Sequence, residues 1–359
     1  MNRAIAVATF TLLSLIAVGV LSPAATVAGE AKPLTLDEQL DEIILEAFKP
    51  GVAEPFENED NKLTQGKIDL GRMLFYEPRL SKNQQISCNS CHQLDKYGVD
   101  GTAVSTGHKN QKGGRNAPTV YNAAGHFAQF WDGRAETVEE QAKGPVLNPI
   151  EMAMPSPEHV LKVLHSIPGY EDLFRKAFPD EKNPVTYDNL GKAIGAFERK
   201  LVTPSRFDAF INGDRKALTD SEKQGMITFV NTGCIACHSG PVLGGKMFQK
   251  LGLVTAWPHL KDLGRFEVTK KAGDRYVFKV PSLRNIARTG PYLHDGTIQS
   301  LDVQVRLMAR HQLSKELTDD EVKAIVTFLN VLTGELPTEY IRKPKLPESG
   351  PDTPEPIHD

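Results

Sequence analysis

Apolar residues recur at helical spacing along much of the chain, and several of these runs open behind a capping signal. Thr35 with Glu38, Thr219 with Glu222 and Thr318 with Glu321 each form a capping box. Behind them run Leu36/Leu40/Ile43/Ile44/Ala47, Met226/Phe229/Val230 and Val322/Ile325/Val326/Leu329, stripes with the period of a helix. Ser156-Pro157 predicts another helix start, an N-cap followed by proline at the first helical position. Residues 189–202 carry Leu190/Ala193/Ile194/Phe197/Leu201 at the same spacing. Strand patterns are scarce, and 276–280 is the best of them. Long Gly- and Pro-rich loops fill the rest. The pattern predicts a mainly α fold with little β. From Pro344 the chain turns rich in proline and acidic residues, which predicts an extended tail over 344–359.

The N-terminus follows a different pattern. One basic residue, Arg3, precedes an uncharged and mostly apolar stretch over 4–28, with small residues near its end. This predicts a secretory signal over 1–28, cleaved after Thr26-Val27-Ala28. An uncleaved membrane anchor is the alternative, since the stretch is long enough to span. About 330 residues then remain, enough for two domains of ordinary size. The formal net charge of the chain is −3. No basic block interleaved with aromatics suggests a nucleic-acid partner. A mildly acidic surface suits a basic electron-transfer partner, although net charge alone says little.

The chain holds four cysteines, and two copies of one motif use them all. They are Cys88-Asn89-Ser90-Cys91-His92 and Cys234-Ile235-Ala236-Cys237-His238. The pattern reads as covalent c-type haem attachment: on one helical turn both thiols face one porphyrin, and the histidine binds its iron. A redox dithiol needs no histidine after the second cysteine, and zinc needs two further ligands. Both readings are therefore weaker. Two haems of this type also agree with export.

The two halves match beyond these motifs. Pro118-Thr-Val-Tyr-Asn122 aligns with Pro281-Ser-Leu-Arg-Asn285, Phe130-Trp131-Asp132-Gly133 with Leu293-His294-Asp295-Gly296, and the run from Glu136 to Gln141 with that from Gln299 to Gln304. No gap is needed over about 24 positions. The match predicts a duplicated, cytochrome c-like haem domain. The first copy is placed at 29–202 and the second at 203–343, with the boundary at Thr203-Pro204-Ser205.

Function is sought where the copies differ. Met308 follows the second repeat, and the same register puts Pro145 in the first. Methionine is a sixth haem ligand that raises potential, and proline cannot ligate iron. On that reading the second haem is a capped electron carrier and the first has an open or switchable distal side; the alternative is an apolar methionine that only packs in the core. Trp131 and His294 hold equivalent positions, where an aromatic ring either relays electrons or only packs. His108 sits in the Gly-rich loop Thr106-Gly107-His108-Lys109, as an exposed loop residue or a removable iron ligand. Glu151 and Gln141 flank this region. A carboxylate and an amide beside an open haem would move a peroxide proton and hold the two oxygens.

With these residues in place, the chain closely resembles the bacterial di-haem cytochrome c peroxidases, within the wider family that includes MauG-type enzymes. The resemblance runs from about Leu70 to Leu332. It rests on Ser87-Cys-Asn-Ser-Cys-His92, Ser105-Thr-Gly-His108, Asn116-Ala-Pro-Thr119, Gln129-Phe-Trp-Asp-Gly-Arg134, Gly290-Pro-Tyr-Leu-His-Asp-Gly296 and Met308. It implies an oxidoreductase, a cytochrome-c peroxidase, that reduces hydrogen peroxide to water in the periplasm. Two covalently bound haem c groups are implied. His92 is proximal and His108 a removable distal ligand at the first, low-potential haem; His238 and Met308 ligate the second. Electrons are implied to come from a small c-type cytochrome or a cupredoxin and to pass Trp131. Gln141 and Glu151 fall on the peroxide-handling positions. A calcium ion between the domains is implied, held by the Asn116 side chain, the carbonyls of Thr289 and Pro291, and waters. A homodimer is also implied. MauG-type enzymes carry tyrosine where this chain has Met308, which argues against that branch. A plain di-haem electron-transfer cytochrome is the other competitor.

Overall fold

The computed structural model describes residues 33–48 and 51–358. The expected export segment over 1–28 lies outside the described residues. Among the described residues no helix is long and apolar enough to cross a membrane.

The chain is mainly helical: α1 (Leu36–Ala47), α2 (Gln65–Phe75), α3 (Cys88–Cys91), α4 (Val138–Leu147), α5 (Pro157–His165), α6 (Pro168–Ala177), α7 (Tyr187–Glu198), α8 (Arg206–Ile211), α9 (Asp220–Thr232), α10 (Phe266–Thr269), α11 (Leu301–Leu313) and α12 (Asp319–Val331). The three expected capping boxes open α1, α9 and α12, each satisfying helix-end N–H groups that would otherwise lack acceptors. Ser156 caps α5, with Pro157 behind it. The stripe over 189–202 belongs to α7. That helix starts earlier, behind the cap Thr186, and ends at Glu198. It stops there because the following backbone is bonded elsewhere: the Leu201 carbonyl accepts from Asn122 N–H, and Thr203 N–H donates to Asn122 Oδ1. The expected strand forms as β2 (Val277–Lys279), paired antiparallel with β1 (Phe248–Lys250).

Apolar side chains gather in two main clusters. One is built from residues between Leu70 and Leu201 together with Ile341, the other from Leu40, Phe48 and residues between Phe207 and Leu332. Each is organised by a crossed helix pair, α2 on α7 in the first and α9 on α12 in the second.

The sequence repeat is also a backbone repeat. Asn122 and Asn285 both adopt left-handed φ, near 60°, and each opens a short 3-10 turn. Phe130 and Leu293 share a positive φ, as do Gly133 and Gly296. The isolated bridges Gln129–Ala135 and Tyr292–Ile298 occupy the same register, and α4 and α11 follow at matching positions. The chain from 344 onward has no helix or strand. It lies along the first half, where Arg79 donates to the Pro347 carbonyl, Gln84 to the Pro354 carbonyl, and Ile357 N–H to the Lys82 carbonyl.

Candidate active site

Each Cys-x-x-Cys-His motif folds as one tight turn. In the first, Ser87 caps α3 and His92 N–H closes on the Cys88 carbonyl at 2.9 Å. In the second, Cys234–Ala236 form a 3-10 turn and His238 N–H closes on the Cys234 carbonyl at 3.0 Å. Both imidazoles turn Nδ1 toward backbone carbonyls. His92 Nδ1 lies 3.3 Å from Gly98 O, and His238 Nδ1 lies 3.2 Å from Leu243 O. A carbonyl only accepts, so Nδ1 carries the proton and Nε2 keeps its lone pair, as a metal ligand requires. Burial favours the neutral ring at both sites, lowering His92 and bringing His238 down to about 4. The Pro118 and Pro281 carbonyls, equivalent in the repeat, act on the two rings alike.

Cys234, Cys237 and His238 line one cavity together with Met308. Met308 reaches it from α11 and packs in a small cluster with Leu251, Phe278 and Leu293. Two thiols, an imidazole and a thioether around a largely apolar space fit a haem. Trp131 and His294 line the same cavity. Trp131 Nε1–H donates to the Asn116 carbonyl at 2.9 Å, and its ring meets His294 edge-on with centroids 6.4 Å apart. His294 stacks on Phe278 at 4.3 Å. Asn116, Thr289 and Pro291 also line this space. The Asn116 amide donates to the carbonyls of Thr102 and Ala103, at 2.9 and 3.0 Å, which turns its other atom, Oδ1, into the available oxygen donor. Among the described residues no cluster of three or more His, Cys, Asp or Glu could hold a metal.

The first motif is surrounded differently. Its loop partner His108 is buried, at 4 % exposure, and its N–H donates to the Glu151 carbonyl at 2.8 Å. Gly107 makes that approach feasible, because a Cβ there would sit 2.0 Å from the Ile150 carbonyl oxygen. Gln111 Nε2 donates to the carbonyls of both His108 and Pro149, so the His108 loop is clasped to the loop that carries Glu151.

Beside them opens a cleft of about 570 Å³, lined by Phe130, Arg134, Pro145, Asn148 and Glu151 among others. Burial pushes the Glu151 carboxyl up, against the opposing pull of Arg134 and of Asn148, whose amide donates to Glu151 Oε1 at 2.7 Å. The Cys88 and Cys91 thiols are raised chiefly by burial, and the Glu151 charge adds to both, which places this carboxyl near the first motif. Gln141 lies on α4 with Pro145, partly buried, but is not on the cleft wall. Arg134 is the residue that sequence reasoning passed over. Its guanidinium lies 3.5 Å over the Phe130 ring and pairs with Asp132 at 2.9 Å. The repeat carried a signal for it, since Thr297 stands at the matching position of the second half.

The sequence model of a family described as di-haem cytochrome c peroxidase matches residues 65–216. The chain is 44% identical over 333 residues to the cytochrome c551 peroxidase of Pseudomonas aeruginosa, covering 91% of this chain and 95% of that protein. It is 48% identical over 288 residues to the cytochrome c551 peroxidase of Nitrosomonas europaea, covering 80% and 85%. Among solved structures, a MauG-like protein associated with microbial copper homeostasis is similar at a TM-score of 0.72 and 28% identity, covering 82% of this chain and 97% of that one.

Proposed function

The chain belongs to the di-haem cytochrome c peroxidase family, and from that premise we propose how its residues divide the reduction of peroxide between two haem centres. It is an oxidoreductase that acts on peroxide and takes electrons from a cytochrome. Both haems are attached covalently in this reading, one at Cys88 and Cys91 with His92 as ligand, the other at Cys234 and Cys237 with His238 and Met308. When bound, the haems supply two one-electron centres and, at the first, an iron where the O–O bond is split.

Glu151 takes the proton from one peroxide oxygen and returns it to the other, which leaves as water. With two electrons and two further protons, both oxygens end as water. The raised carboxyl and its Asn148 hydrogen bond suit that task. Gln141, on α4 behind the cleft wall, is assigned the hydrogen bonds that hold the oxygens, and the Arg134 guanidinium adds positive charge on the cleft that Glu151 lines. His108, on the loop clasped to the Glu151 loop, would serve as the removable ligand of the first haem. Trp131 relays electrons between the centres. The Asn116 side chain and the carbonyls of Thr289 and Pro291 hold calcium. The protein works in the periplasm after export on residues 1–28, with a small c-type cytochrome or a cupredoxin as donor, and as a homodimer.

One observation carries the division of labour. At one register of the repeat, Met308 lines the cavity of the second motif, while Pro145 lines the cleft that holds Glu151. The test is stopped-flow haem spectroscopy on mixing with hydrogen peroxide, comparing fully oxidised protein with protein in which only the high-potential haem is reduced. Fast reaction of the half-reduced form alone is expected. Glu151→Gln should slow it by about 10²–10⁴-fold with both haems retained. Equal rates in both redox states would sink the gating role of His108. Near-normal turnover of the variant would remove Glu151 from the mechanism, and no reaction at all would favour the electron-transfer cytochrome.

A further inference from the structure

Lys279, on β2, is 6 % exposed, and its ammonium lies 2.8 Å from His126 Nδ1. Among the described residues the partner of its ammonium is this imidazole, and no acid acts on its charge. Buried lysines are rare without an acid, because desolvation of the charge is costly unless an anion repays it. Burial alone brings Lys279 down to about 7, with no acid pulling the other way.

His126 leaves the same gap. Its Nδ1 accepts from Lys279, so in the neutral ring the proton sits on Nε2. That Nε2 is buried and has no hydrogen-bond partner among the described residues. The ring is held in place by Gly245, where a Cβ would come within 2.3 Å of His126 Cδ2. Phe127 N–H donates to the Gly245 carbonyl, and Lys279 N–H to the Trp131 carbonyl. Both side chains line the cavity of Cys234, Cys237, His238 and Met308. A fixed, buried pair, the Lys279 amine and the neutral His126 ring with its unpartnered Nε2–H, thus borders the haem cavity with no carboxylate beside it.

We propose that Lys279 and His126 form the seat of a haem propionate, binding the carboxylate of the C-terminal haem and setting its potential. The inference rests on the reading that a haem occupies this cavity. The peripheral anionic groups of a haem are its propionates, and a carboxylate oxygen accepts from the Lys279 ammonium or from the His126 Nε2–H in a charge-assisted or ordinary hydrogen bond. His126 comes from the first repeat and Lys279 from the second, so the propionate ties the two halves. The repeat register pairs Lys279 with Asn116 and His126 with Thr289, two of the residues read as calcium ligands. Where one half would borrow a cation, the other carries its own on a side chain.

The test is a potentiometric titration of the holoenzyme at one pH, followed by haem absorbance, for wild type, Lys279→Met, Lys279→Arg and His126→Leu. Losing the ammonium leaves the propionate charge uncompensated, which stabilises the oxidised iron. The midpoint potential of the second haem should therefore fall in Lys279→Met, recover in Lys279→Arg, and fall by less in His126→Leu. The propionate bending band in the resonance Raman spectrum should shift in the same order. An unchanged potential and band in Lys279→Met, or a shift confined to the first haem, overturns the proposal. If Lys279→Met does not fold, His126→Leu decides by the same readouts. Peptide mass mapping of the wild type separates the underlying reading: absence of haem on the peptide with Cys234 and Cys237 overturns both.

Discussion

Two neighbouring glutamates show how burial alone does not fix a charge state. Glu139 is buried, yet its carboxyl is held below its usual range, because Arg199 grips both oxygens at 2.7 and 2.8 Å and Asn61 donates to one of them. Glu198 is 4 % exposed, and burial raises it to about 8, with the Glu139 charge adding and Arg199 opposing. The folded state therefore keeps a proton that the unfolded chain releases near its ordinary value of 4.5. Its contribution is fully present below that value and is lost as pH rises toward about 8. Glu198→Gln should thus gain stability over wild type as pH goes from about 5 to 8, read by denaturant unfolding at several pH values. A constant difference across that range would refute the assignment. The two Cys-x-x-Cys-His turns were legible in the sequence, because fixed spacing and an internal duplicate mark them. Glu198, Lys279 and Arg134 were not, because their significance lies in which distant groups surround them.

At the scale of elements, the two helix crossings share one device. Gly71 on α2 meets α7 so closely that a Cβ would sit 1.8 Å from the Ala193 carbonyl oxygen and 2.9 Å from Phe197 Cβ. Gly225 on α9 meets α12 in the same way, 2.2 Å from the Ala324 carbonyl and 3.1 Å from Phe328 Cβ. Neither backbone can retreat without unpacking its cluster. Alanine at either site should cost about 1–3 kcal/mol, more at Gly71, seen as a lower midpoint of unfolding. Unaltered unfolding of both variants would contradict the crossing geometry. Helix starts were legible from their capping boxes. The helix α2 was not, since its sequence holds two glycines and reads as a loop until α7 packs on it. Similarly, the repeat matched over a short stretch of sequence, whereas the backbone extends it to these helix pairs.

For the whole molecule, two equivalent turns of the repeats share one side chain. Thr203 is fully buried, and its Oγ1 accepts from Asn122 Nδ2 at 2.8 Å and from Asn285 Nδ2 at 2.9 Å. The two asparagines are equivalents, each at a left-handed turn, and each accepts at Oδ1 from a backbone N–H, that of Thr203 or of Gly334. The sequence marked Thr203 only as a place where the pattern changes. That one hydroxyl serves both turns follows from the folded arrangement. Thr203→Val keeps the shape and orphans two buried amides. The expected loss is about 1–3 kcal/mol for each, measured by chemical denaturation, with Thr203→Ser close to wild type. Equal stability of the valine variant would show that the amides find other acceptors. A hydroxyl oxygen has only two lone pairs, and both are spoken for. The joint is therefore saturated: a third copy would find no acceptor there. Where a solenoid offers each new repeat the same open face, this tandem has a valence of two and is already full.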